Sequence, residues 1–272
     1  MTLKQMTLYD PFAVFRASKT PPGLYARKRW LGESSKAWKK DFQETVGLLK
    51  AGQEVDGSWN HSPLLTIKRL FGLHLTVRDA DDNINRALDW LIERLRTLQG
   101  KRRYALYEPL KNNNLRSLPF SRGCAQFFLA GATLFLASIF GRKSDPFLLS
   151  VYDRLDAMGQ ERHGRWCGWS CSNNILRAFV VHSFYAETES VSLAIRALKT
   201  VQDRSGRWPS PVPFYQTVNA LAHLKSREGD IQLSRAFKWL CKTQNRNGTW
   251  GRVDIEWNTF LVVHAMKNKK RL

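Results

Sequence analysis

Acidic residues are in short supply: 23 Asp and Glu stand against 43 Lys and Arg, a formal net charge of +20 over 272 residues. That deficit points to an anionic neighbour: lipid headgroups, an acidic or pyrophosphate substrate, or nucleic acid. Cysteine is also scarce. Cys124, Cys167, Cys171 and Cys241 are too few and too irregular for a disulfide framework. Residues 1–20 lack a continuous apolar core and a cleavage pattern, so a cytoplasmic setting is expected, with peripheral contact to an anionic membrane as the use of the basic surface. Only one stretch, residues 123–143, runs nearly uncharged for the length of a membrane span, and a wholly buried helix looks the same. Phosphate loops, nucleophile elbows, dinucleotide fingerprints and DDxxD-like diphosphate motifs are missing, and no nucleic-acid module is recognisable. No run alternates as a strand would.

What the chain does have is a repeat. Q-x-x-x-G-x-W occurs as "QEVDGSW" (53–59), "QERHGRW" (160–166), "QDRSGRW" (202–208) and "QNRNGTW" (244–250), the last three starting 42 residues apart. A degenerate copy is expected around "QGKRRY" (99–104). An apolar helix precedes each Gln, and a second, more apolar helix follows each Trp after a short loop. The residue types suit a joint between helices. Gly57, Gly164, Gly206 and Gly248 allow a turn, and Gln53, Gln160, Gln202 and Gln244 carry amides that tie helix end to turn. Trp59, Trp166, Trp208 and Trp250 supply rings that cover the corner.

The recurring segment resembles the QW repeat of squalene–hopene and oxidosqualene cyclases and, in weaker form, of protein prenyltransferase β subunits. The resemblance spans roughly residues 36–268. It implies an all-α fold, an α/α toroid of about five outer–inner helix pairs over residues 36–272, with residues 1–35 as a cap or closing segment. It further implies a central apolar cavity for an isoprenoid or other lipid, and cyclisation or prenyl transfer if the chain is an enzyme. Full-length triterpene cyclases have two helical domains, so a smaller substrate, a partner subunit or a non-catalytic lipid- or protein-binding role are the alternatives.

The family's acidic motif transfers poorly. "DADD" (79–82) matches its letters but begins twenty residues after Trp59, where other units also carry acids before an outer helix. Negative charge at a helix start is favoured by the macrodipole, which makes Asp79, Asp81 and Asp82 structural. The corresponding inner-helix start is "VDIEWN", which makes Asp254 and Glu256 the candidate catalytic acids. Prenyltransferase zinc ligands are not matched either: Trp169 stands where Asp is needed and Asn258 where the later His belongs. No metal or cofactor is therefore expected, the weak alternative being His163, Cys167 and Cys171. Finally, His74, His182, His223 and His264 fall 14–16 residues after their units' Trp, in register late in four inner helices. They are candidates for a ring at one mouth of the cavity, with Asn173, Asn174, Gln216, Asn219 and Asn258 lining the rest.

Overall fold

A computed structural model describes residues 7–98 and 115–272, so the expected degenerate copy at 99–104 lies outside the described residues. Eleven α-helices are described: α1 (Pro21–Arg29), α2 (Lys36–Lys50), α3 (Pro63–Thr76), α4 (Asp82–Leu98), α5 (Ala125–Ile139), α6 (Pro146–Glu161), α7 (Trp169–Phe179), α8 (Glu189–Val201), α9 (Phe214–Ala222), α10 (Arg227–Lys242) and α11 (Ile255–Asn268). No strand forms among the described residues. Local chemistry sets several starts. Ser62 and Asp145 each accept a backbone N–H from the first turn, with Pro63 and Pro146 at the opening position, where a missing N–H costs nothing.

The odd-numbered helices form a closed inner ring, α1 against α3, α3 against α5, and so on through α7, α9 and α11 back to α1. The even-numbered helices wrap outside it, with α2 on α3, α4 on α5 and α10 on α9. Helix α1, from the segment expected to cap or close the ring, thus stands between the first and last repeats as a sixth inner helix. The Arg27 guanidinium fixes it there, paired with Glu33 and Asp41 and held above the usual arginine range chiefly by Glu33. The long uncharged stretch is α5, buried along its length from Phe127 to Ala137. Among the described residues no helix is long and apolar enough to cross a membrane.

The repeated segments act as joints. Trp59, Trp166, Trp208 and Trp250 are buried, and each indole N–H donates to a carbonyl of the preceding outer region: Ala51, Leu155, Leu198 and Leu240, at 3.0, 2.6, 3.1 and 2.8 Å. Gln53 and Gln202 donate both to the carbonyl of their own turn glycine and to the start of the next outer helix, at Asn83 and Gln232. Gly57, Gly164 and Gly206 have φ of +90°, +80° and +96°, and a Cβ there would lie within 2.2–2.4 Å of the neighbouring outer helix backbone. The second motif departs from this pattern, since Gln160 turns outward to Asp156 and Arg162 bonds the Trp166 carbonyl instead. Among the described residues the last joint is not followed by an outer helix. Residues 8–10 take that place: Gln244 accepts from the Leu8 and Tyr9 N–H groups and donates to the Tyr9 carbonyl.

Candidate functional site

The inner helices begin at one end of the ring and finish at the other, and a cavity is found toward each. At the helix starts, a cavity of about 390 Å³ is lined by Leu115, Arg116 and residues 120–122 together with Ser170, Gln216, Asp254 and Asn258. The segment running into α5 covers this end of the ring. Asn174 clamps it as a backbone strand would, its amide accepting from Ser121 N–H (2.7 Å) and donating to the Ser121 carbonyl (2.9 Å). On the opposite side the Trp257 indole donates to the Leu118 carbonyl (2.9 Å), and Asp254 Oδ2 accepts the Ser117 N–H (2.9 Å). Phe120 lines this cavity and packs edge-on against Phe135, which lines the second. The covering segment therefore stands between the two.

The second cavity, about 140 Å³, has walls from all six inner helices. Aromatic rings dominate them. Phe71 stands perpendicular to Trp257, Trp257 stacks on Phe260 at 5.3 Å, and Phe260 meets Tyr25 edge-on. His74, His223 and His264 share this space, the last two rings 5.3 Å apart. Burial pushes all three imidazoles down, His74 to about 3 and His264 to about 4, and the Arg177 charge adds to the effect, so they are neutral at pH 7. Arg177 itself comes from the last turn of α7 and is buried. One of its terminal nitrogens bonds Asn219 Oδ1, and its charge lies 5.1 Å from the Phe135 ring centre. Asn219 also donates to the Leu261 carbonyl (3.0 Å), so its amide is fixed in a single orientation between α7 and α11.

The residues singled out by sequence are divided among these places. Asp254, Gln216 and Asn258 line the helix-start cavity, and Asn219 lines the inner one with three of the four in-register histidines. His182 is elsewhere, against the Lys143 carbonyl and the Tyr152 and Tyr185 rings. Asn173 bonds Thr217 between α7 and α9, while Asn174 serves the covering segment. Asp254 and Glu256 are not brought together. Glu256 Oε1 accepts from Ser18 (2.7 Å) and Thr20, over the start of α1 where the helix dipole favours negative charge. Asp81 caps α4 through Ile84 N–H and pairs with Lys50. Sequence reasoning passed over Arg177, Tyr25, Phe71, Phe135 and Trp257. The one available signal was a lone cation inside the apolar run "NNILRAFVV".

Among possible metal ligands, Cys167 and Cys171 lie together, joined by Cys124 and not by His163, all three sulfurs within 4.8 Å. Cys124 Sγ is 3.8 Å from Cys167 Sγ. Cys167 is exposed, and the Gly168 backbone N–H is the leading influence holding its thiol below the usual range. Burial pushes Cys171 up to about 12.

No sequence-family profile and no curated protein sequence matches the chain. Solved structures do. A variant of the type II terpene cyclase MstE from Scytonema, in complex with geranylgeranyl dihydroxybenzoate as substrate, superposes with a TM-score of 0.61 at 15% identity, covering 97% of this chain and 89% of that one. The apo form of another MstE variant gives 0.60 at 15% identity, covering 93% and 88%. A protein from Actinoplanes gives 0.58 at 16% identity, covering 92% and 89%. The chain therefore shares its fold, an all-α toroid of inner and outer helices, with these structures.

Proposed function

From that fold, we propose that this protein is a toroid that binds an isoprenoid or similar lipid between its inner helices. The observation that supports the reading is the aromatic-walled cavity among all six inner helices, in a fold whose solved relative holds a prenylated substrate. Flat rings give a prenyl chain large apolar contact, and neutral imidazoles add little desolvation penalty. The inner space of about 140 Å³ is comparable to the ~150 Å³ cavity that accepts benzene, so it suits one or two isoprene units. The helix-start cavity of about 390 Å³ falls in the range of about 300–1,000 Å³ typical of ligand sites and lies beyond the covering segment, a second space and not an extension of the inner one.

Binding is better supported than proton-initiated cyclisation. Such cyclisation needs a protonated carboxylic acid and surroundings that tolerate a carbocation. Among the described residues the inner cavity is lined by no carboxylate, and Arg177 and Arg78 supply positive charge. Among the described residues lining these two cavities, Asp254, in the helix-start cavity, is the candidate acid. If prenyl chemistry takes place, that cavity is its site, and Glu256 serves α1. The net charge of +20 suits a protein that collects its ligand at an anionic membrane.

The test is to purify the native protein, extract it and identify retained molecules by mass spectrometry, then titrate geraniol against tryptophan fluorescence. Recovery of a prenyl compound and saturable quenching, lost when Phe260 is replaced by Asp, are the expected results. No prenyl compound and no quenching would overturn the reading. Product formation abolished by Asp254→Asn and retained by Glu256→Gln would add catalysis at the helix-start cavity.

A further inference from the structure

The inner cavity holds a charge with no counterion. Arg177 is 6% exposed, and burial lowers its pKa with no described acidic neighbour to offset it. It has no ion pair among the described residues. Its Nη1 is committed to the neutral Asn219 amide, and its Nε–H meets no acceptor. Arginine remains protonated at neutral pH even when burial opposes it. A buried cation without a carboxylate is costly, and buried charges in proteins are ordinarily paired. A second buried group on the same wall, His223 Nε2, also lacks a partner. Arg78 stands at the edge of the space, its guanidinium 5.7 Å from the Tyr25 ring centre.

The formal charges at this space have one sign. Two guanidinium groups, neutral imidazoles able to donate N–H, and the absence of any described acidic lining residue together specify a negative guest. A cation, or a metal needing anionic ligands, meets the wrong charge. Water is the alternative occupant: the space admits a few molecules at about 30 Å³ each, and hydration would leave Arg177 without a counterion.

We propose that the Arg177 cavity receives the oxyanion end, a carboxylate or phosphate, of the molecule this toroid binds. The inference rests on the lipid-binding reading above and adds an orientation: the anionic end lies among the helix C-terminal residues, with the prenyl part against the aromatic walls. Asn219 then acts as a positioning residue, holding the guanidinium by one edge and leaving the other for the guest.

Two measurements test it. Inorganic phosphate is added to the wild-type protein at constant ionic strength, with chloride as the control, and the melting temperature is followed. In parallel, geranyl monophosphate and geraniol are titrated against the wild type and Arg177→Met. The expected results are a phosphate-specific rise in melting temperature and binding of the phosphorylated lipid about tenfold or more tighter than the alcohol. That advantage disappears in Arg177→Met. Equal binding of both lipids overturns the inference and leaves the lipid-binding reading intact. Binding of neither lipid with a retained, Arg177-dependent phosphate effect overturns that reading and identifies a free-anion site. No phosphate effect and no preference means the arginine is merely hydrated. If Arg177→Met fails to fold, the wild-type phosphate response and the comparison of the two lipids still decide.

Discussion

Replacing Gln202 by Ala tests whether the repeated glutamines join neighbouring repeats. Gln202 is 9% exposed, and its amide donates to the Gly206 carbonyl at 3.1 Å and to the Gln232 carbonyl at 3.0 Å. Losing each bond costs about 0.5–1.5 kcal/mol net, and leaving a buried carbonyl short of a partner adds to that. Against this, Gln202 Oε1 is itself buried without a partner, so its removal returns part of the loss. The balance is a destabilisation of about 2 kcal/mol. At about 2–4 °C per kcal/mol for a chain of this size, the melting temperature falls by about 4–8 °C. The chain supplies its own control. Gln160 occupies the same motif position but is exposed and bonds only Asp156 on its own helix. Gln160→Ala is therefore expected to stay within about 0.5 kcal/mol of the wild type. Urea unfolding and calorimetry of both variants provide the comparison. Equal effects would refute the assignment of the buried amide as the joint.

Gly206→Ala, at φ +96° with its new Cβ 2.3 Å from the Arg235 carbonyl, is expected to lose about 3 kcal/mol or more in urea unfolding, whereas Gly47→Ala, in open space within α2, gains about 0.5–1 kcal/mol. The cavity imidazoles give acid sensitivity. Their folded pKa values lie below the unfolded value, so the unfolded chain binds more protons as pH falls. Stability is complete above about pH 6.5 and declines toward pH 4, by up to about 1.4 kcal/mol per pH unit for each histidine. Urea midpoints between pH 7.5 and 4.5 measure this, and a slope unchanged in a His74→Gln, His264→Gln double variant would contradict it. Among the thiols, Cys167 reacts fastest with a disulfide reagent at pH 7.5 and Cys171 slowest, as peptide mapping after brief exposure will reveal; the reverse order would mean the sulfurs are arranged otherwise.

The architecture was largely legible because it is periodic. Gln, Gly and Trp recur at fixed spacing, and their physical roles follow from one turn geometry repeated. The exception at Gln160 was not legible, since the motif letters are identical and only Arg162, bonding the Trp166 carbonyl, distinguishes that joint. Three of the in-register histidines share a cavity because they lie late in helices that belong to one ring, whereas His182 follows the end of α7 and faces the α5–α6 connection. The surroundings of the inner cavity were hidden for a different reason. Phe71, Phe135, Trp257 and Tyr25 are ordinary core residues in a linear reading, and they become one wall only when six helices from the whole length of the chain meet. Asp254 and Glu256, two residues apart, also looked like a pair; the left-handed turn at Asp254 (φ +53°) and the hydroxyls of Ser18 and Thr20 send them to different surroundings.

The last joint bears on how such a protein is made. Its glutamine, Gln244, is completed by Leu8 and Tyr9, segments more than 230 residues apart in the chain. On the ribosome, residues 8–10 emerge long before the repeat they fit, while the intervening hairpins can stack as each becomes available. The circle is closed by the earliest of these segments meeting the latest, so the enclosed space has no sealed wall until translation has passed Gln244. Any molecule destined for the interior has that interval in which an open crescent, not a finished ring, is what it encounters.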